Sequence, residues 1–213
     1  MSELACGLAF KHQFFKSLLL FLDPKACSNN VILTRWAQPQ LIELQVHALN
    51  IIGNLADFAA PRIYELGGHI TLANFLMTYD DKPRRKAVMY AFQSLCKFDM
   101  FKPELPMLIE PLITIIADIQ AEGSLNLREL SLNILSGICK EQRDNQKLFR
   151  RKNGIELVVQ SLQYNEVDQS GNSITFLVAV LDCISNAVFG NKRSEIHFLD
   201  IDGVQNLLNL VET

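Results

Sequence analysis

Apolar residues recur at the helical spacing i, i+3, i+4 and i+7 along most of the chain, and almost no stretch alternates with a period of two. In the clearest window, residues 40–57 following Pro39, one broad face carries Leu41, Leu44, Ala48, Leu49, Ile52, Leu55 and Ala56. Similar windows of about four turns each cover residues 84–97, 126–140 and 173–189. The sequence therefore predicts four long helices and no strands.

The centres of the four windows follow one template. Residues 48–56, 88–96, 131–139 and 180–188 align without gaps, and their starts are 40, 43 and 49 residues apart. Such periods are typical of two- or three-helix repeats that stack into a solenoid.

The segments between the long helices also repeat. Medium helices are predicted at 70–77, 112–116, 155–162 and 204–211, and shorter ones before them at 61–66, 103–108, 144–152 and 192–199. Gly68, Gly154 and Gly203 precede three of the medium helices, where we expect a left-handed corner, and Pro111 takes that place in the second gap. The predicted fold is all-α: an armadillo-type right-handed superhelix of about four three-helix repeats. The alternative is a generic helical bundle.

The repeats predict one armadillo-like domain over residues 1–213. Residues 1–39 are predicted to be irregular, 40–140 to form the first repeats, and 141–213 the last, incomplete at the C-terminus. We expect no following long helix to cover the apolar residues Val204, Leu207, Leu208 and Val211, so that the chain is a piece of a longer array or a partner covers its end. Trp36 is interpreted as a core plug in preference to a ligand-binding ring.

Composition narrows the range of partners and compartments. A net charge of −3 argues against binding to nucleic acid or anionic membranes, which needs clustered positive charge. Five scattered cysteines with no C-x-x-C pair are typical of reduced, buried thiols in an intracellular protein. The apolar run 14–22 ends at Asp23-Pro24 and is too short for a membrane span, which needs ~20 residues. We expect a soluble cytoplasmic protein.

No motif in the sequence indicates an enzyme. Phosphate-loop, nucleophile-elbow and zinc-protease motifs are absent, which predicts no enzyme, no cofactor, no metal site and no small-molecule substrate. His47 and His69 each follow a glutamate by four residues, Glu43 and Glu65, and are interpreted as helix-surface contacts.

Two rows of mostly polar residues mark a candidate binding groove. In-register repeats place Asn50, Tyr90, Asn133 and Asp182 in one row, and Asn54, Ser94, Gly137 and Asn186 in the other. Amide side chains there can donate to and accept from an extended peptide backbone. Alternatively, they bond neighbouring repeats or carbonyls of their own helix. Both interpretations remain open.

Two basic clusters are weaker candidates. One is Lys82, Arg84, Arg85 and Lys86; the other is Lys147, Arg150, Arg151 and Lys152. Each is interpreted as a solvated face, with an acidic partner or a tubulin-like surface as the alternative.

Two family comparisons refine the functional prediction. Nuclear-import adaptors pair a tryptophan with an asparagine four residues away, but Asn50 precedes Asn54 and Asp182 precedes Asn186 here, so that site is missing. Another likeness is carried by residues 36–49, with Glu-Leu-Gln-Val-His-Ala-Leu at 43–49, and by 129–210, above all 132–139, 153–158, 176–185 and 201–208. In these stretches the chain more closely resembles the cilia- and flagella-associated protein 69 family.

The resemblance implies a structural part of motile cilia or sperm flagella, within the central microtubule apparatus of the axoneme. We therefore predict a scaffold that packs against other axonemal proteins. The alternative is a cytoplasmic armadillo adaptor that binds extended peptides in its concave groove.

Overall fold

The computed structural model describes residues 12–31, 33–119, 124–162 and 172–212. Within these ranges the regular elements are all helical, as predicted. The chain divides into two compact units, Met1–Phe101 and Lys102–Thr213. This division does not coincide with the predicted boundary at residue 140, and a single domain over 1–213 stays a prediction.

The described part of the first unit contains a long helix pair and four shorter helices. Its elements are α1 (His12–Leu22), α2 (Pro24–Asn29), a 3₁₀ turn (Leu33–Arg35), α3 (Gln38–Asn54), α4 (Ala56–Glu65), α5 (Gly68–Thr78) and α6 (Lys82–Leu95). The predicted stop after Leu22 is confirmed: the Asp23 carboxylate accepts a 2.9 Å hydrogen bond from the Lys25 amide and caps α2. The prediction that residues 1–39 are irregular is wrong for their described part.

The second unit repeats the order of short, medium and long helices. Two 3₁₀ turns (Lys102–Glu104 and Pro106–Leu108) precede α7 (Ile109–Ala117), α8 (Ser124–Cys139), α9 (Arg143–Arg151), α10 (Gly154–Leu162), α11 (Asn172–Ala187), α12 (Lys192–Asp200) and α13 (Gly203–Glu212). The four predicted long helices, α3, α6, α8 and α11, are confirmed.

Two of the predicted short helices differ from the structure. The one predicted at 61–66 is longer: α4 begins directly after α3 and has Pro61 inside it. The one predicted at 103–108 is instead the pair of 3₁₀ turns, which begin around Pro103 and Pro106. Proline lacks an N–H and fixes φ, so two closely spaced prolines interrupt a continuous α-helix.

The long helices pack side by side within each unit. In the first unit α3 lies along α6, and in the second α8 lies between α7 and α11. Their inner faces are fully buried, with Leu49, Ile52, Val88, Leu132 and Val180 all at 0% exposure. Burying one such side chain contributes about 1.5–3 kcal/mol, so these faces are a large part of the folding free energy.

The corners before the medium helices have a different cause from the one expected. The left-handed residues are Gly67 (φ 65°), Asn153 (φ 59°) and Asp202 (φ 58°), each one position before the predicted glycine. The glycines themselves are needed for close approach. An added Cβ at Gly154 would lie 2.4 Å from the Phe149 ring, and one at Gly203 would lie 2.5 Å from the Phe198 ring.

Three single-residue expectations also have outcomes. Trp36 is 42% exposed, so its interpretation as a core plug is wrong; Leu33, at 1% exposure, fills the interior of that segment instead. His69 is buried and stacks on Tyr64 at 5.1 Å between ring centroids, so the surface-pair interpretation is wrong for it. His47 does lie beside Glu43 on the exposed side of α3, with its Nε2 3.8 Å from the Glu43 Oε1.

The predicted burial of the cysteines is confirmed for the described residues. Cys27, Cys96, Cys139 and Cys183 are buried. Cys6 lies outside the described residues.

Candidate protein-binding surface

In the first unit the predicted groove residues lie on two helices that touch closely. An ideal Cβ at Gly53 of α3 would lie 3.4 Å from the Ala91 Cα of α6 and 3.8 Å from the Ser94 Oγ. A Cβ at this distance is in ordinary van der Waals contact, so the two helices lie directly against each other. Asn54 and Ser94, both in the second row, therefore lie on adjacent helices.

Three of the four predicted groove residues of this unit are open to solvent. Asn50 and Asn54 are exposed, and Tyr90 is 41% exposed. The Lys86 ammonium lies 5.7 Å from the centre of the Tyr90 ring, within the range of a cation–π contact. These groups can offer amide donors and acceptors, an aromatic face and a positive charge to a partner.

In the second unit one groove residue is engaged inside the protein. The Asn186 amide of α11 donates to the Ser136 Oγ of α8 at 2.9 Å and to the Asp182 carbonyl at 3.1 Å. Ser136 in turn donates to the same Asp182 carbonyl at 3.1 Å. Asn186 therefore makes the contacts of the second interpretation, a bond to the neighbouring repeat and one to its own helix.

The other groove residues of the second unit differ in accessibility. Asp182 has an exposed side chain although its carbonyl is engaged, while Asn133 and Gly137 on α8 are half-buried. A partner in this unit would meet a carboxylate first.

Two buried glutamines that connect different helices were not predicted from the sequence. The Gln45 amide, at 0% exposure, donates to the Phe21 carbonyl at 3.1 Å and accepts from the Arg84 guanidinium at 3.1 Å. The Gln146 amide donates to the Asn186 carbonyl at 2.9 Å. Gln45 lies four residues after Leu41 and four before Leu49, so helical periodicity alone could have placed it on the buried face.

His197 has a carboxylate partner on another helix. Its Nε2 lies 2.7 Å from the Glu156 carboxylate and joins α12 to α10. Both side chains are one-third exposed, so solvent screening keeps this pair's contribution to stability small.

Some residues of the two basic clusters form contacts within the protein. Arg84 forms an ion pair with Asp81 and stacks over the Tyr79 ring at 3.8 Å, and Lys152 pairs with Glu110 at 2.8 Å. Lys82, Lys86, Lys147 and Arg151 are exposed.

A cavity of about 400 Å³ in the first unit is lined by Cys27, Ser28, Leu33, Thr34, Trp36, Gln38, Leu41, Tyr79 and Arg84. Burial raises the pKa of the Cys27 thiol, and it also raises the pKa of the Tyr79 phenol. Both groups are therefore protonated near neutral pH. Because the thiolate is the nucleophile of cysteine chemistry, Cys27 is poorly suited to attack a substrate.

Two searches of the described ranges bear on ligands and membranes. Within residues 12–31, 33–119, 124–162 and 172–212, no group of three or more His, Cys, Asp or Glu side chains is placed to hold a metal ion. None of the helices described for this chain combines the length and the apolar character that a membrane crossing requires.

Comparison with known proteins supports the fold. A solved structure described as a "Crystal Structure of Engineered Protein" from the Northeast Structural Genomics Consortium superimposes with a TM-score of 0.67, covering 94% of this chain and 82% of that one. At 17% sequence identity this likeness bears on the fold alone. No curated protein sequence matches the chain significantly.

A family model described as "Cilia- and flagella-associated protein 69, ARM repeat" matches residues 93–213, which is more than half of the chain. The match covers most of the second unit's repeats, including the α8–α11 pair. The predicted all-α, armadillo-type repeat fold is confirmed. The chain belongs to the family of cilia- and flagella-associated protein 69, ARM repeat.

Proposed function

We propose that this chain is a structural repeat module that packs against other proteins of the axonemal central apparatus in motile cilia or flagella. The observation that carries the proposal is the family match over residues 93–213. Its partners are proteins, and its compartment is the cytoplasm of the cilium or flagellum. It acts as a scaffold, without catalysis, cofactor or small-molecule substrate.

The contacts of the second unit support packing over peptide capture. In a peptide-binding groove, the amide of each row residue must be available to the ligand backbone. The Asn186 amide already bonds Ser136 and the Asp182 carbonyl, so it holds α11 on α8. The net charge of −3 also argues for protein partners over nucleic acid or anionic membranes.

Fractionation of ciliated cells tests the proposed location. A tagged full-length chain is expressed, cilia are isolated, and the membrane is stripped with detergent. We expect the tag to stay with the axoneme, and cross-linking mass spectrometry to join it to central-apparatus proteins. Release of the tag with the detergent-soluble fraction, or cross-links only to outer-doublet proteins, contradicts the proposal.

A second candidate function is supported by the first unit. Asn50, Asn54 and Tyr90 are exposed there, beside Ser94 and Lys86, as a groove for an extended peptide requires. Asn133, Asp182 and Asn186 of the second unit are the remaining residues that the sequence predicts for peptide binding.

Paired substitutions separate the two functions. Asn50→Ala together with Asn54→Ala removes exposed amides without disturbing the buried face of α3. Loss of partner binding in this variant favours the peptide groove, and unchanged binding favours packing. Asn74→Ala, an exposed asparagine on α5, is the matched control.

A further inference from the structure

An apolar stripe lies exposed along the long helix α11. Ile174 is 69% exposed, Val178 50% and Leu181 37%, and they follow one another at the spacing i, i+4 and i+7. This spacing places the three side chains on one face of the helix. The face differs from the one that meets α8, which includes Thr175 and Asn186.

The equivalent position is buried in the other long helices. The alignment of the repeats places Leu181 with Leu49 in α3, Met89 in α6 and Leu132 in α8, and each of these three is at 0% exposure. Position 181 thus carries the side chain of an interface while it is open to solvent. Exposed apolar faces of this kind mark sites of protein interaction.

The packing of α11 on α8 shows what normally covers such a face. The Thr175 hydroxyl donates to the Glu129 carboxylate at 3.0 Å, and the Ser136 hydroxyl donates to the Asp182 carbonyl at 3.1 Å. Both contacts join residues 46 positions apart, so the two helices run in the same direction in constant register. On α8 the covered face therefore includes Glu129 and Ser136.

The same alignment places Val178 at the position of Glu129 and Ser185 at that of Ser136. Together with Ile174 and Leu181, they repeat on α11 the face that α8 uses to receive α11. Ser185 is small, as is its counterpart Gly53, which lies 3.4 Å from Ala91 in the first unit when a Cβ is added. The centre of the face therefore admits close approach of another helix.

We propose that this exposed face of α11 binds an amphipathic α-helix of a partner protein, about four turns long and parallel to α11, which extends the array as a further long helix would. On α8, Glu129 contacts Thr175 of α11. On α11 the equivalent position is Val178, so we expect the partner helix to have an apolar residue where α11 has Thr175. A small residue follows at its centre, opposite Ser185.

A second copy of this chain is a poorer occupant. The contact joins two different faces, the receiving face of one helix and the docking face of the next. In a second copy the docking face of α11, with Thr175 and Asp182, is already against α8. This inference rests on the protein-binding role proposed above, but it does not depend on the ciliary location.

A helical peptide with the sequence of residues 172–187 and the change Thr175→Val is the probe, because α11 is the structure's own example of a helix that docks on such a face and valine supplies the apolar residue proposed opposite Val178. It is synthesised with a hydrocarbon staple on its solvent side and a fluorescent label, and it is titrated with the full chain. We expect saturable binding that Val178→Glu weakens at least about tenfold, because the bound helix would cover a carboxylate that has no Thr175 hydroxyl to pair with. Ile174→Glu, at a more exposed position, is the second variant.

Ile70→Glu on α5 is the matched control, since Ile70 has the same 50% exposure as Val178. It should leave peptide binding unchanged, and circular dichroism should show that all three variants fold. NMR shifts on binding should centre on Val178 and Leu181.

Three outcomes overturn the inference: no binding to the wild-type chain, equal binding to Val178→Glu, or shifts centred on α8, which would mean that the peptide displaces α11. Self-association of the wild-type chain that Val178→Glu abolishes would assign the face to a second copy instead. If peptide binding fails while the tagged chain stays on axonemes, the helix-docking inference alone is lost. If the peptide binds and the tag is released, only the ciliary function is lost.

Discussion

The strongest prediction about the fold concerns Gly154, the first residue of α10. An ideal Cβ there would lie 2.4, 2.5 and 2.6 Å from three ring carbons of Phe149, which is fully buried. Gly154 does not have a positive φ, so backbone strain is not the reason for glycine here. Gly154→Ala therefore tests close packing of Phe149 alone.

Two opposing effects set the size of the change. Overpacking a buried site costs about 1–3 kcal/mol, and alanine in a helix regains about 0.5–1 kcal/mol over glycine. The Phe149 ring is at 0% exposure and has little room to move, so the steric cost lies in the upper part of its range. We expect Gly154→Ala to lower the free energy of unfolding by about 2 kcal/mol.

Urea unfolding followed by far-UV circular dichroism measures the effect as a lower midpoint at unchanged slope. The smaller side chain of Phe149→Leu should relieve the clash in the Gly154→Ala background. The double variant should therefore lose less free energy of unfolding than the two single variants lose together. An unchanged or higher midpoint for Gly154→Ala, the result for an ordinary helical glycine, would refute the close-packing argument.

Three further predictions concern the second unit. Gln146→Leu should lower the free energy of unfolding by about 1 kcal/mol in urea titrations, because it removes the donor of the half-buried Asn186 carbonyl. Gly190→Ala should lower the free energy of unfolding by about 1 kcal/mol, since Gly190 has φ 81° and side chains disfavour that region. Glu141→Gly, at the equivalent corner with φ 61°, should not lower it, and the same titrations check both variants. Burial raises the pKa of Cys183 from 9.0 to about 12, so the stability that its neutral thiol contributes is complete below pH 9.0 and lost as the pH rises through about 12. A thiol reagent at neutral pH should label Cys183 only in the unfolded chain, and labelling of the native chain would contradict this.

The long helices could be predicted from the sequence because their signal is local. Leu41, Ala48, Leu49 and Ile52 recur with helical period within one window, and all four are buried in α3. The apolar period predicts that one face of a helix is buried, whichever helix covers it.

The cause of the corner glycines was misread although its signal is also present. Ile63, Phe149 and Phe198 each precede a glycine, at 68, 154 and 203, by five residues. That spacing expresses a tertiary contact between the end of one helix and the start of the next. A local rule about left-handed corners cannot separate it from the neighbouring residue that has the positive φ.

The state of the groove residues could not be predicted because it depends on distant partners. Asn186 has the same local setting as Asn54, but its amide bonds Ser136, fifty residues earlier in the chain. The burial of Trp36 was predicted wrongly because an aromatic side chain is usually buried, whereas here Leu33 already fills that interior. Both outcomes were decided by packing between elements.

Windows with a common template are expected to stack side by side in a fixed register, and a disulfide between Gly53→Cys and Ser94→Cys measures that register for α3 and α6. An ideal Cβ at residue 53 lies 3.8 Å from the Ser94 Oγ, which is the place that a cysteine Sγ would take, so the two thiols are within reach of each other. We expect near-complete cross-linking under mild oxidation, and little for the pair Asn50→Cys and Ser94→Cys, displaced by one turn of α3. Failure of the first pair, or equal cross-linking of the second, would contradict the repeat register.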